Sequence, residues 1–171
     1  MAKIGLFYGT QTSNTQTVAE LIQKEFGGVV VVSIQDISRT EPADFDEYQN
    51  VIIGCPTWNV GELQSDWESF YDDQLDSINF SGKKVAYFGE GDQIGYPDTF
   101  QDAMGMLEEK ISELGGETVG YWSTEGYDFS DSKALRDDKF VGLALDEDNQ
   151  SELTEERIKA WVAQLKSEFR L

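Results

Sequence analysis

The 171-residue sequence contains no histidine and only one cysteine, Cys55. These shortages exclude disulfide bridges, zinc sites and iron–sulfur clusters held by several cysteines, and catalytic pairs that use histidine as a base. Any redox chemistry would therefore need a bound organic cofactor. Cys55 lies in the apolar run VIIGCPTW (51–58), where we expect it to be a small buried hydrophobic residue.

Positive charge is also scarce, since 13 lysines and arginines stand against 33 acidic residues and the net charge is −20. Such a surface repels nucleic acids and anionic lipids and is steered toward basic proteins. The alternative is that the charge only keeps an abundant protein in solution. A signal-peptide layout and an apolar stretch of about 20 residues are both missing. We therefore expect an acidic, cytoplasmic protein without membrane insertion.

What the sequence does contain is an alternation of short apolar runs with helical patterns. Continuous runs rich in β-branched and aromatic residues are typical of buried strands, and they occur at 3–8, 29–34, 50–55, 84–89 and 117–122. Helical spacing of apolar residues lies between them, and Thr154 is a predicted N-cap of the last helix. The alternation predicts a doubly wound α/β fold, in which a parallel sheet is covered on both faces by helices. We place no domain boundary within 1–171.

The fifth strand is expected to be interrupted. Residues 123–139, STEGYDFSDSKALRDDK, are polar, and a new apolar run, FVGLAL, follows at 140–145. We interpret 123–139 as a long insertion after which the fifth strand resumes near Val141.

The loop after the first predicted strand is dense in neutral hydrogen-bond donors. Parallel sheets bind ligands beyond the carboxyl ends of their strands, and here a hydroxyl- and amide-rich loop leads into a helix. The start of a helix binds phosphate through free backbone N–H groups and the helix dipole. The spacing and the lysine of a Walker P-loop are missing. An ordinary N-capped helix is the alternative interpretation.

The loops after the third and fourth predicted strands each carry an aromatic residue, Trp58 and Tyr96. An exposed aromatic ring is costly unless something covers it, so a planar ligand between these loops is one interpretation, and ordinary packing is the other. The glycines Gly89, Gly91 and Gly95 do not have the spacing of a dinucleotide-binding fingerprint. Three such loops at one edge of a sheet favour a ligand site.

Five stretches, GLFYGTQTSNTQTVAE, IIGCPTWNVGELQSDW, YFGEGDQIGY, FQDAMGMLEEKISELGG and VGLALDEDNQ, together resemble long-chain flavodoxins such as those of cyanobacteria. The resemblance covers essentially the whole chain. It implies a five-stranded parallel sheet of order 2-1-3-4-5 with flavin mononucleotide (FMN) at the point where the strand order reverses. It also implies a monomeric, low-potential one-electron carrier, not an enzyme, that exchanges electrons with photosystem I and ferredoxin-NADP reductase through their basic faces.

The resemblance further implies which residues bind FMN. The loop 10–15 would hold the phosphate, and Trp58 and Tyr96 would cover the two faces of the isoalloxazine ring. The predicted cofactor-binding residues are Thr10, Gln11, Thr12, Ser13, Asn14, Thr15, Pro56, Thr57, Trp58, Asn59, Val60, Gly61, Glu90, Gly91, Asp92, Tyr96, Thr99 and Gln101.

Several of these residues have a more specific implied role. The Asn59–Val60 peptide would reorient on one-electron reduction, and its carbonyl would accept a hydrogen bond from the flavin. Gly61 and Gly91 would keep this region mobile, and Asp92 would lie at the pyrimidine edge of the ring.

Three residues depart from the family pattern. Ser13 stands where glycine is usual and would cost about 1 kcal/mol if φ is positive there, and Thr99 stands where asparagine is common. Glu90 stands where a small residue is expected. A carboxylate near the flavin would oppose negative charge on it by about 1 kcal/mol, so Glu90→Thr is predicted to raise the second one-electron potential by tens of millivolts. A solvated glutamate that points away is the alternative.

Two other functions are compatible with the same strand order. An FMN-dependent quinone or nitro-group reductase would need an open pocket over the flavin, and aromatic cover on both ring faces argues against it. A signalling receiver domain would need an aspartate at the end of the third strand, where this chain has Cys55-Pro56-Thr57.

Overall fold

Strands and helices alternate along the chain in the computed structural model, which describes residues 2–9, 14–58 and 61–171, without the side chain of Trp58. The strands are β1 (Ile4–Tyr8), β2 (Val32–Asp36), β3 (Asn50–Trp58), β4 (Glu62–Leu63), β5 (Lys84–Glu90), β6 (Glu117–Thr118), β7 (Trp122–Ser123), β8 (Leu135–Arg136), β9 (Lys139–Phe140) and β10 (Leu143–Leu145). The helices are α1 (Asn14–Phe26), α2 (Ser65–Asp73), α3 (Asp102–Glu113) and α4 (Thr154–Glu168). Among these described helices, none combines the length and hydrophobicity that a bilayer crossing requires.

The main sheet has the strand order β2-β1-β3-β5-β10, and all of these neighbours are parallel. In its centre, Leu6 of β1 pairs with Ile34 on one side and with Ile52 on the other. This order confirms the doubly wound fold that the sequence predicts. The strand order reverses between β1 and β3, so a crevice forms at their carboxyl ends.

The fifth strand is split into two pieces, as the sequence predicts. β6 pairs with the beginning of β5, where Glu117 lies opposite Lys84, and β10 pairs with its end, where Leu145 lies opposite Glu90. The chain between the two pieces forms a small antiparallel sheet of order β7-β9-β8. Of these two pieces, β10 is the one that reaches the carboxyl edge of the sheet, so the insertion leaves the segment after Leu145 beside that edge.

Alternating side chains of β1 divide the apolar core into two clusters. Ile4, Leu6 and Tyr8 pack with α1 and α4 on one face of the sheet. Phe7 packs on the other face, where Trp67 belongs to the same cluster as residues of α2 and α3. Burial on both faces explains why the strands are continuous apolar runs.

The second strand begins later than predicted. Val29 and Val30 are 73% and 74% exposed and do not belong to β2. Gly28 has φ +101° and donates its N–H to the carbonyl of Gln23 at the end of α1, and the N–H groups of Val31 and Val32 both bond to the Gly28 carbonyl. This turn uses the backbone groups that a longer strand would need.

The predicted N-cap of α4 is wrong by one residue. Leu153 holds the cap position without a side-chain hydrogen bond, because a short 3₁₀ turn, Ser151–Leu153, leads directly into the helix. Thr154 is already helical, and its hydroxyl donates to the carboxylate of Glu147.

Candidate functional site

A cleft of about 330 Å³ lies at the carboxyl ends of the central strands. Its described lining comes from the start of α1, the end of β3, the segment between β5 and α3, and the segment after β10. The lining residues are Asn14, Thr15, Pro56, Thr57, Glu90, Gly91, Asp92, Tyr96, Thr99, Phe100, Gln101, Glu147 and Asp148. A cleft of this size suits one small organic molecule.

The start of α1 gives the cleft a corner with uncharged side chains. The first turn of this 13-residue helix is formed by Asn14, Thr15, Gln16 and Thr17, and the side chain of Thr15 is buried. The N–H groups of a first turn and the dipole of the helix together favour an anion. Of the predicted phosphate-binding residues, Thr10, Gln11, Thr12 and Ser13 lie outside the described residues.

The end of β3 is fixed by hydrogen bonds to both neighbouring helices. Thr57 Oγ1 accepts a hydrogen bond of 3.2 Å from the backbone N–H of Ala103 in α3. Trp67 of α2 donates its indole N–H to the carbonyl of Gly54 at 2.8 Å. These bonds hold Pro56 and Thr57 at the cleft wall.

The residues that follow β3 are described only in part. Asn59, Val60 and the side chain of Trp58 lie outside the described residues, so the roles predicted for them stay predictions. Gly61 is not part of the cleft lining. It has φ +77°, and a Cβ there would lie 2.8 Å from Asp102 Oδ2, so this position requires glycine.

The segment after β5 is shaped by the carboxylate of Asp92. Asp92 Oδ1 accepts hydrogen bonds from the N–H groups of Gly95 and Ile94 at 2.7 and 3.1 Å, and from Asn149 Nδ2 at 2.8 Å. These bonds, that of Gly95 first, lower the pKa of Asp92. The turn is closed by a bond from the Tyr96 N–H to the Asp92 carbonyl. The side chain of Tyr96 lines the cleft and remains 46% exposed.

Three buried polar atoms of the cleft residues lack a hydrogen-bond partner within the described part of the chain. They are Thr99 Oγ1, Gln101 Oε1 and Glu90 Oε1. The other end of the Gln101 amide is engaged, because Nε2 donates to the Leu145 carbonyl at 3.0 Å. An unpaired buried polar atom costs about 1–3 kcal/mol. Three of them around one cleft indicate a site whose ligand supplies the missing partners.

Glu90 is the last residue of β5 and lies between Pro56 of β3 and Leu145 of β10. It is only 7% exposed and lines the cleft, so the interpretation of Glu90 as a solvated residue pointing away is wrong. Burial, and after it the negative charges of Glu147, Asp146 and Asp148, raise the pKa of Glu90 to about 8.

The segment after β10 was missed as part of the site when the sequence was considered alone. Glu147 and Asp148 line the cleft. The fully buried Asp146 orders this segment, because its Oδ2 accepts bonds from Gln93 N–H and Gln93 Nε2 at 3.1 and 2.8 Å. A signal was available in the acidic run DEDN, which directly follows a predicted strand of the parallel sheet.

The structure brings together ten of the predicted binding residues in the cleft lining. They are Asn14, Thr15, Pro56, Thr57, Glu90, Gly91, Asp92, Tyr96, Thr99 and Gln101. The ten come from α1, β3, β5 and the segment before α3. Their convergence follows from the strand order, because the carboxyl ends of parallel strands meet at one edge of the sheet.

Comparisons with known proteins agree with this arrangement. The model of the flavodoxin family matches residues 6–161. The chain is 70% identical over 171 residues to a flavodoxin of Synechococcus elongatus, with 100% of both chains covered, and 71% identical over 166 residues to a flavodoxin of Synechocystis, with 97% of each covered. It is also similar to the crystal structure of Fusobacterium nucleatum flavodoxin bound to flavin mononucleotide, at 32% identity and a TM-score of 0.91, with 98% of this chain and 99% of that chain covered.

Proposed function

Since this chain belongs to the flavodoxin family and is an FMN-binding electron carrier, we propose that it passes single electrons between larger redox proteins at low potential, with FMN in the cleft described above. The observation that carries the assignment of the cleft is the set of three buried polar atoms, on Thr99, Gln101 and Glu90, that have no hydrogen-bond partner among the residues that the structure describes. An isoalloxazine ring and a ribityl chain carry the donors and acceptors that these atoms lack. When bound, FMN supplies the one-electron chemistry, and the protein binds, orients and shields it.

The phosphate end of FMN is assigned to the start of α1. Asn14 and Thr15 lie there, and the first turn contains only uncharged side chains. The helix dipole and the N–H groups of the first turn favour a dianion without a lysine or arginine. We assign Thr10, Gln11, Thr12 and Ser13 to the same phosphate on the basis of their polar side chains and their position before the helix.

The flavin ring is assigned to the mouth of the cleft beside Tyr96. Its phenol ring is 46% exposed although the turn beneath it is held by three bonds to Asp92. A rigid turn that presents an exposed aromatic ring is suited to stacking on a planar ligand. Trp58 is assigned to the other face of the ring, and the Asn59–Val60 peptide and Gly61 to the edge that responds to reduction.

The low potential is assigned to the negative charge around the cleft. Asp92, Asp146, Glu147 and Asp148 surround it on the sides formed by the β5–α3 and post-β10 segments. The described lining carries neither lysine nor arginine. Negative surroundings oppose the addition of an electron to a bound cofactor, so they lower its potential.

The partners we propose are photosystem I as donor and ferredoxin-NADP reductase as acceptor, with docking through their basic faces. The net charge of −20 supports steering toward such faces. Electron-transfer encounters use small, weak interfaces, which suits a monomeric cytoplasmic carrier. Because Trp58 and Tyr96 are assigned to the two faces of the flavin ring, neither face is left open to a substrate. We therefore assign no substrate pocket and no reductase activity.

The first test is cofactor binding and stepwise reduction. The purified protein should be yellow, and anaerobic photoreduction followed by absorbance should show two well-separated one-electron steps. Illuminated photosystem I should reduce it, and reduced protein should pass electrons to ferredoxin-NADP reductase. A colourless protein that ignores added FMN would overturn the proposal. Rapid reduction by NAD(P)H alone would favour the reductase instead.

A second test addresses the placement of the ring. Tyr96→Ala should weaken FMN binding by about tenfold, because a stacked aromatic pair contributes about 0.5–1.5 kcal/mol. Tyr121→Ala is the matched control, since Tyr121 is 37% exposed and lies outside the cleft lining. Equal dissociation constants for the two variants would contradict the assignment of Tyr96.

A further inference from the structure

Glu90 is a buried acid in the cleft, and no basic group among the described residues neutralises it. It is 7% exposed, and its Oε1 has no hydrogen-bond partner among the described residues. An isolated buried carboxylate is strongly disfavoured, so the group stays neutral unless something compensates the charge. Neutrality at ordinary pH therefore has to come from a bound proton.

The described groups near Glu90 offer no positive charge that could compensate an ionised carboxylate. The segment after β10 contributes the negative charges of Asp146, Glu147 and Asp148. Among the described residues elsewhere in the cleft lining, β3 and α1 contribute the uncharged side chains of Pro56, Thr57, Asn14 and Thr15.

Two more acids lie near the cleft but offer no compensation. Asp92, two residues along the chain, is committed to three hydrogen-bond donors of its own. Asp102 at the start of α3 accepts a bond of 2.7 Å from the N–H of Lys133. The described surroundings of Glu90 thus place only neutral or negative side chains toward it.

We propose that Glu90 links FMN binding to proton uptake, so that the affinity for FMN falls as the pH rises through the mildly alkaline range. This inference rests on the proposed function of the same cleft. It assigns to Glu90 a role in cofactor affinity, and it makes the bound proton part of the binding site.

The direction of the effect follows from charge. The phosphate of FMN is close to a dianion above pH 7, since its second pKa is about 6. A dianion entering the cleft makes an ionised Glu90 less favourable still. A protonated carboxyl carries an O–H donor that the phosphate or a ribityl oxygen can accept, and an ionised carboxylate carries none.

The pH range follows from the free protein. Burial and the neighbouring acids raise the pKa of Glu90 to about 8, and the bound dianion raises it further. At pH values between the pKa of Glu90 in the free protein and its pKa in the FMN complex, FMN binding takes up a proton. The dissociation constant of FMN then rises with pH by at most about tenfold per pH unit. Below pH 7 Glu90 is protonated in both states, and its contribution to the pH dependence disappears.

The experiment measures FMN release from the loaded protein between pH 7.0 and 9.5 at constant ionic strength. Diluted samples are ultrafiltered, and free FMN in the filtrate is quantified by fluorescence. For the unsubstituted protein we expect the dissociation constant to rise by about fivefold or more from pH 7.5 to 9. Glu90→Gln, which keeps the shape and removes the titration, should change by less than about twofold over the same range.

Two further variants complete the design. Glu117→Gln removes an exposed glutamate from β6, at the opposite end of β5, and should keep the full pH dependence. Glu90→Thr provides a second neutral side chain in case Glu90→Gln does not fold, as judged by far-UV circular dichroism. It should also give a flat profile.

A second readout counts the protons directly. Isothermal titration calorimetry at pH 8.5 in two buffers of different ionisation enthalpy should show uptake of a fraction of one proton on FMN binding. The uptake should be close to zero for Glu90→Gln.

The outcomes separate the inference from the function on which it rests. A pH profile or proton count that is the same in the unsubstituted protein and the Glu90 variants would overturn the inference and leave FMN binding intact. Failure of the unsubstituted protein to retain FMN at pH 7 would overturn the proposed function itself.

Discussion

Two glutamates of this protein are equally buried but have opposite surroundings. Glu90 is 7% exposed and Glu108 is 6% exposed. Glu108 accepts bonds from Arg136 Nη2 at 3.0 Å, Thr118 Oγ1 at 2.7 Å and Ser112 Oγ at 2.9 Å. Glu90 faces other acids, and its Oε1 is unpaired within the described ranges.

The comparison shows what each acid does. Glu108 ties α3 to β6 and β8, so it joins the insertion to the main sheet and belongs to the architecture. Glu90 lowers stability whenever it is ionised, and it lies in the cleft that we assign to the cofactor. The two acids differ in their hydrogen-bond and ion-pair partners and not in their burial. These partners distinguish a structural acid from one at a functional site.

The largest expected effect comes from Glu90→Gln in the FMN-free protein. The folded-state pKa of about 8 lies above the ordinary value of 4.5, so the folded protein binds more protons than the unfolded chain between these values. Its stability therefore falls as pH rises from about 4.5 to 8, and the deficit is complete above pH 8. We expect the variant to be more stable than the parent by about 3 kcal/mol at pH 9.

Urea unfolding at pH 5, 7 and 9 measures this difference. The free energies of unfolding of parent and variant should converge near pH 5 and diverge steadily above it. A constant offset at all three pH values would show that Glu90 does not titrate with folding.

Glu108→Gln should change the stability in the opposite direction and lower the free energy of unfolding. It removes an ion pair with a partly exposed Arg136 and weakens two hydroxyl bonds, so we expect a loss of about 2 kcal/mol near neutral pH. Glu109→Gln is the control, because Glu109 is the exposed neighbour on the same helix. Urea unfolding that found the two variants equal would remove the structural role given to Glu108.

Glu90→Thr should raise the second one-electron potential of bound FMN, by tens of millivolts where Glu90 is ionised, which corresponds to about 1 kcal/mol. Because burial and neighbouring acids raise the pKa of Glu90 to about 8 and bound FMN is expected to raise it further, the difference between parent and variant should be small at pH 7 and grow as the pH rises toward and above 9. Redox titration at both pH values measures it. A difference that is as large at pH 7 as at pH 9 would contradict a titrating Glu90.

The smallest effect is expected from Glu147→Gln. This substitution removes the negative charge that, of the three neighbouring acids, contributes most to the raised pKa of Glu90. The midpoint of the stability–pH curve should move to lower pH, and the stability at pH 9 should rise by about 0.5 kcal/mol. Thr154→Val is the matched control, since it removes the Thr154–Glu147 hydrogen bond without changing the charge. An unchanged midpoint in Glu147→Gln would mean that the charge of Glu147 does not contribute to the raised pKa of Glu90.

Most of the fold was predictable because its signals are local. Continuous apolar runs mark strands buried on two faces, and the polar segment 123–139 marks the insertion in the fifth strand. The late start of β2 was not predictable, because Gly28 uses its backbone groups to close a turn against α1. Thr154 was wrongly predicted as the N-cap of α4, because a 3₁₀ turn precedes the helix directly and places Thr154 inside it.

The candidate site was predictable in its loops and not in its electrostatics. Tyr96 and Thr57 could be assigned to the cleft from their positions after predicted strands. Glu147 and Asp148 were not predicted, because the sequence pattern does not show that the insertion in the fifth strand leaves the segment after β10 beside the cleft. Their approach to Glu90 depends on the pairing of β10 with β5.

The sequence by itself determined the alternation of strands and helices, the interrupted fifth strand, and the uncharged stretch before α1. Each of these follows from the hydrophobicity and charge of residues that are neighbours in the chain. Only the tertiary structure decided that Glu90 is buried beside other acids, which raises its pKa. Its surroundings are assembled from β3, β5 and the segment after β10, and desolvation and charge repulsion act through space and not along the chain.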